Sequence, residues 1–83
     1  MNVTLKLYAS LSDFLPPDAQ QNQVRLELPE GATVGAVIER YRLPPKLTHL
    51  VLVNGAFVPP EARAVTSLRD GDQLAVWPPI AGG

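Results

Sequence analysis

Thr33-Val34-Gly35-Ala36-Val37-Ile38-Glu39-Arg40-Tyr41 is the longest stretch of this 83-residue chain with a helical period. Val34, Val37, Ile38 and Tyr41 fall at i, i+3, i+4 and i+7 and share one face, while Glu39 and Arg40 lie towards the other. Thr33 can cap the first turn with its side-chain oxygen, and Pro44 and Pro45 end the helix. A helix with one apolar stripe needs one surface to cover, and the flanking sequence provides it as strands. Before the helix, Val3, Leu5 and Leu7 alternate with Thr4, Lys6 and Tyr8, and Val24, Leu26 and Leu28 alternate with Arg25 and Glu27. After it come an apolar run at 50–53, the hairpin dipeptide Asn54-Gly55, a short return at 56–58 and a last strand at 74–77. The order strand, strand, helix, strands predicts a two-layer α+β domain and lacks the alternation of a doubly wound fold.

Smaller features fill the gaps. Ser10-Leu11-Ser12-Asp13 resembles a capping box, and Leu11, Phe14 and Leu15 stand at helical spacing until Pro16 and Pro17 stop the turn. Asp70-Gly71-Asp72 reads as a tight turn in preference to a metal pair. Residues 64–68 have no assignable pattern.

Composition narrows the functions. The chain can form one domain with a modest core, being 46% apolar and too short for two. Seven basic and eight acidic residues give a net charge of -1, with no footprint for nucleic acid or anionic membrane. The absence of cysteine excludes disulfides, thiolate metal sites and a thiol carrier on this chain. The start alternates where a signal peptide would have an apolar block, and no apolar run nears the roughly 20 residues of a membrane span. A cytoplasmic protein is expected. His49 is the sole histidine and reads as a surface residue before a strand. Ser10, Ser12 and Ser67 lack a nucleophile-elbow context. Gly31 and Gly35 flank the helix start without the spacing of a phosphate-binding loop.

The remaining candidate is the end of the chain. Two terminal glycines are expected by chance in about one protein in 200. Here they follow a strand and Pro78 and Pro79, whose fixed φ angles and missing N–H groups would lift the chain off the sheet. Residues without side chains can thread a narrow channel and present an unhindered carboxylate. A carboxylate becomes reactive once another enzyme converts it to an acyl adenylate, and that needs no catalytic side chain here. In the last strand Leu74 and Val76 should face the helix. Ala75 and Trp77 should then face away, with Trp77 an interface anchor beside the tail.

Residues 68–83, reading Leu-Arg-Asp-Gly-Asp-Gln-Leu-Ala-Val-Trp-Pro-Pro-Ile-Ala-Gly-Gly, resemble the ends of the small sulfur carriers of molybdopterin and thiamine biosynthesis. The match is closest to the molybdopterin synthase small subunits over Pro78-Pro79-Ile80-Ala81-Gly82-Gly83. Thr33-Val34 and Val53-Asn54-Gly55 fit the wider family, and residues 54–60 resemble the thiamine-type carriers. The resemblance implies a ubiquitin-like β-grasp domain over residues 1–79, with a small mixed sheet on one main helix, and a tail at 80–83. It implies a non-catalytic carrier. An E1-like enzyme would adenylate Gly83 with ATP and magnesium, and a persulfide sulfur donor would convert it to a thiocarboxylate. Gly82 and Ala81 would thread into a large synthase subunit or a thiazole synthase. Trp77, Ala75, Pro78, Pro79 and Ile80 would contact partners. Molybdopterin formation is the first destination implied. Thiazole formation, another sulfur pathway, or conjugation to proteins through Gly83 are the alternatives.

Overall fold

The computed structural model describes residues 1–79; the expected tail, Ile80, Ala81, Gly82 and Gly83, lies outside the described residues. The described chain runs β1 (Asn2–Leu7), a 3-10 turn (Ala9–Phe14), β2 (Gln23–Glu27), α1 (Val34–Arg40), β3 (Leu50–Val53), β4 (Ala56–Phe57), a second 3-10 turn (Pro60–Ala62) and β5 (Gln73–Trp77). The strands form one sheet in the order β2-β1-β5-β3-β4. Among the described strands β1 and β5 pair in parallel and the other neighbours antiparallel, so the sheet is mixed. One helix on such a sheet is the β-grasp arrangement expected.

Strand alternation divides the residues between two faces. Val3, Leu5 and Leu7 from β1, Val24 and Leu26 from β2, Val51 from β3 and Leu74 and Val76 from β5 meet Val34 and Val37 of α1 in the core. The helix begins as its sequence dictates, with the Thr33 hydroxyl accepting from the Ala36 N–H at 3.1 Å. It stops at Arg40, with Tyr41 as its C-cap. Asn54 and Gly55 adopt φ of 51° and 85°, the left-handed pair that a two-residue hairpin turn demands.

One expectation is corrected, and one segment left unassigned takes shape. Ser10 does not cap a helix: Tyr8 occupies the N-cap position of the 3-10 turn without a side-chain bond, and the Ser12 hydroxyl donates back to the Ala9 carbonyl. Residues 64–68, which had no assignment, pack together with Arg63 along the start of α1. The Arg63 and Thr66 carbonyls accept from the Gly35 and Val34 N–H groups at 2.8 and 3.0 Å, and Ser67 bridges to Thr33. Donors that α1 cannot satisfy internally are satisfied by this segment. The approach is so close that a Cβ on Gly35 would stand 3.2 Å from both the Ala64 Cα and the Arg63 carbonyl oxygen.

Candidate functional site

The candidate site is the end of β5 and the sheet face turned away from α1. β5 is the middle strand, bonded to β1 on one side and β3 on the other. Leu74 and Val76 are fully buried, so strand alternation turns Ala75 and Trp77 outward, as expected, and Gln73 with them. Cross-strand register then assembles the outer surface. Ala75 lies between Lys6 and Leu52, Trp77 lies opposite Leu50, and Leu52 lies opposite Phe57. Phe57 is 56% exposed, an unusual position for a large apolar ring. Leu50, Leu52, Phe57, Ala75 and Trp77 therefore make an apolar strip reaching the point where the chain leaves the sheet. Towards β2 the same face turns polar: Thr4 pairs with Arg25 and with Gln73, and Lys6 Nζ donates to Gln73 Oε1 at 3.1 Å.

Trp77 is not a free anchor. Its ring stacks on Tyr8 with centroids 4.0 Å apart and planes 6° from parallel, and both rings are half-buried. The backbone is held as well. The Tyr8 N–H donates to the Val76 carbonyl and the His49 N–H donates to the Trp77 carbonyl, each at 3.1 Å. These bonds immediately precede Pro78, half-buried, and Pro79, exposed. Proline ends the ladder because it has no N–H to offer. Ile80, Ala81, Gly82 and Gly83 lie outside the described residues, so the described geometry stops at Pro79, one residue short of the expected tail.

Two residues beside the candidate site were not singled out from the sequence. Tyr8 was legible: the alternation of β1, continued one residue past Leu7, points it outward towards β5. Arg63 was not, since a lone arginine in an unpatterned connection carries no signal. It is 9% exposed, and its described bonds go to backbone carbonyls. Nε donates to Val58 O at 3.3 Å, one terminal nitrogen to Thr48 O at 2.8 Å and the other to His49 O at 3.3 Å. Burial pulls its pKa below the ordinary guanidinium value, and Glu61 nearby partly opposes that. Arg63 also lines a depression of about 440 Å³ beside α1, with Glu39, Thr48 and Ala64, on the opposite side of the sheet from the apolar strip. His49 is exposed, as expected. Among the described residues no three acidic, histidine or cysteine side chains come together as a metal site. No described helix is long and apolar enough to cross a membrane.

The comparisons agree on one family. The ThiS family model matches residues 5–83. The crystal structure of SAMP1 from Haloferax volcanii is 25% identical, with all of both chains covered and a TM-score of 0.70. A Pyrococcus furiosus structure described as a putative molybdopterin converting factor, subunit 1, is 26% identical, with 95% of this chain and 98% of that one covered and a TM-score of 0.68. A structure of H. volcanii small archaeal modifier protein 1, at 23% identity, covers 95% of this chain and 98% of its own with a TM-score of 0.69, and supports the fold alone. Among curated proteins none matches.

Proposed function

The chain belongs to the ThiS family, within the ubiquitin-like sulfur carriers, and on that footing we propose that it carries sulfur on Gly83. One observation carries this reading: the family match runs to residue 83, beyond a sheet whose central strand points the chain outward through two prolines. Carriers of this family are not enzymes, so the catalytic groups belong to partners. A carboxylate oxygen of Gly83 attacks the α-phosphorus of ATP and pyrophosphate leaves. The terminal sulfur of a donor persulfide attacks the acyl carbon and AMP leaves. A second donor thiol then cleaves the acyl disulfide, giving the thiocarboxylate and a donor disulfide. The apolar strip from Phe57 to Trp77 supports docking of the adenylating enzyme and of the acceptor enzyme.

The sequence pointed first to molybdopterin as the destination. The family match is to the ThiS type, and this favours a thiazole or another sulfur acceptor instead. The neighbour from Pyrococcus furiosus keeps molybdopterin as a further outcome of the test. The likeness to SAMP1 favours one second reading, attack of a protein lysine on the same acyl adenylate, with AMP as leaving group.

Intact mass spectrometry of protein from its own cells tests the proposal. The carrier form shows a mass gain equal to one oxygen replaced by sulfur, confined to residue 83 and captured by an alkylating reagent. A terminus that stays carboxylate during active sulfur transfer refutes it. The last basic residue is Arg69, so tryptic lysine adducts carrying residues 70–83 would select the modifier reading.

A further inference from the structure

We infer that Arg63 is a positioning residue for the chain's exit from the sheet, a role that rests on the carrier reading above. The basis is a continuous set of bonds. Among the described residues, Arg63 is one of two buried polar or charged ones, the other being Thr48. A guanidinium removed from water is costly unless its donors are satisfied. Here they are spent on carbonyls at two chain segments: Val58, just after β4, and Thr48 and His49, just before β3. The fork thereby fixes the plane of the 48–49 peptide and of the peptide after His49. The N–H of His49 is the donor to the Trp77 carbonyl at 3.1 Å.

Trp77 is the last residue of β5, and the peptide bearing that carbonyl is the one that leads into Pro78. Rotating it changes the direction in which Pro78 and Pro79 aim everything beyond them. Tyr8 holds the Trp77 ring from one side, and the His49 amide holds its carbonyl from the other. The peptide bearing the His49 amide is tied on one side by Thr48, whose N–H and hydroxyl donate to the Pro44 and Pro45 carbonyls at 3.1 and 3.0 Å, and at its own carbonyl by Arg63 at 2.8 Å. A tail that must enter a partner's channel loses less conformational freedom if its starting direction is already set. The role differs from simple packing because the described Arg63 side-chain bonds go to Val58, Thr48 and His49 and not to Trp77, Pro78 or Pro79. Its effect passes through one named hydrogen bond.

The test uses full-length R63M and R63K, with V24A as a control that removes core volume from β2, remote from the exit. Amide hydrogen exchange is the first readout. In R63M, the His49 amide should exchange at least about tenfold faster relative to the central amides of β1. R63K, which restores a donor to the carbonyls, should recover part of that protection, and V24A should leave the ratio unchanged. Equal acceleration of all amides in R63M and R63K would overturn the inference. If R63M fails to fold, the R63K and V24A ratios decide it.

The second readout is adenylation by the cognate activating enzyme. R63M should raise KM about tenfold with kcat nearly unchanged, and V24A should raise neither. An unchanged KM in R63M would also overturn the positioning role. If the unaltered chain is never adenylated, the carrier reading fails instead, while the exchange ratio still reports on the exit geometry.

Discussion

Trp77→Ala separates a folding role from a docking role, because the two predict different sizes of effect on different measurements. A fully buried tryptophan truncated to alanine costs about 3–5 kcal/mol of stability. Trp77 is half-buried, on the face away from the core, and its defined ring contact is the stack on Tyr8. Such aromatic pairs contribute about 0.5–1.5 kcal/mol beyond the area they bury. Adding partial loss of apolar burial, the expected destabilisation is about 1.5–2.5 kcal/mol. Urea denaturation measures it, and the melting temperature should fall by roughly 6–20 °C at about 4–8 °C per kcal/mol for a domain of this size. Tyr8→Ala in a double-mutant cycle should return a coupling energy of about 1 kcal/mol with Trp77→Ala. Calorimetric titration against the adenylating partner should show a loss of at least about 2 kcal/mol, as for a central interface aromatic. The reasoning is refuted if Trp77→Ala costs as much stability as Leu5→Ala at the core while partner affinity stays unchanged.

Three further perturbations address other parts of the argument. Gly35→Ala places a methyl 3.2 Å from two backbone atoms that cannot step aside, and should destabilise by about 1–3 kcal/mol in urea denaturation despite alanine's better helix propensity. Asn54→Ala removes the residue suited to φ of 51°, the side-chain bond to Asp72 at 2.8 Å and the acceptor of the Gln73 N–H at 2.9 Å. A loss of about 2 kcal/mol is expected, with hydrogen exchange accelerated first at the start of β5. Deleting Gly82 and Gly83 should change the melting temperature little, consistent with a stability effect within about 0.5 kcal/mol, and abolish formation of the thiocarboxylate in the mass assay.

Legibility followed the periodicity of each segment. The alternation at 3–7, 24–28 and 74–77 revealed strand faces because one side of each strand is buried and the other is not, so every second residue carries the signal. Asn54-Gly55 revealed its turn because few other residues adopt two left-handed conformations in succession. Strand order was not legible, since β5 inserts between β1 and β3, and pairing such as Leu5 with Leu74 or Val53 with Leu74, far apart in the chain, leaves no trace in local pattern. The 3-10 turn at Ala9–Phe14 was misread because a serine three residues from an acidic side chain caps only when the backbone enters in the right conformation. Here Ala9 at φ 52° turns the chain first. Of the outward residues, Ala75 and Trp77 were legible from β5 alone. Phe57, Leu50 and Leu52 needed the register, and Arg63 needed three backbone carbonyls that only the folded chain brings together.

The placement of β5 bears on the proposed work of the terminus. Sheets open from their edges, where strands have one neighbour and fewer buried contacts. A tail attached to β2 or β4 would load an edge whenever a partner drew it into a channel, and the edge could peel. β5 instead has hydrogen-bonded neighbours on both sides, and its two inward residues, Leu74 and Val76, are completely buried. Force or binding energy applied beyond Pro79 is resisted by both ladders and by the core at once. The same position puts the strand's outward residues at the centre of the face, so Ala75 and Trp77 are flanked by Lys6 on one side and by Leu52 and Leu50 on the other. A partner that grips the face therefore also fixes the point from which the last residues depart. Burial of the strand and a departure point at the centre of the face are two consequences of one topological choice, and an edge-strand version of this domain would have to give up both.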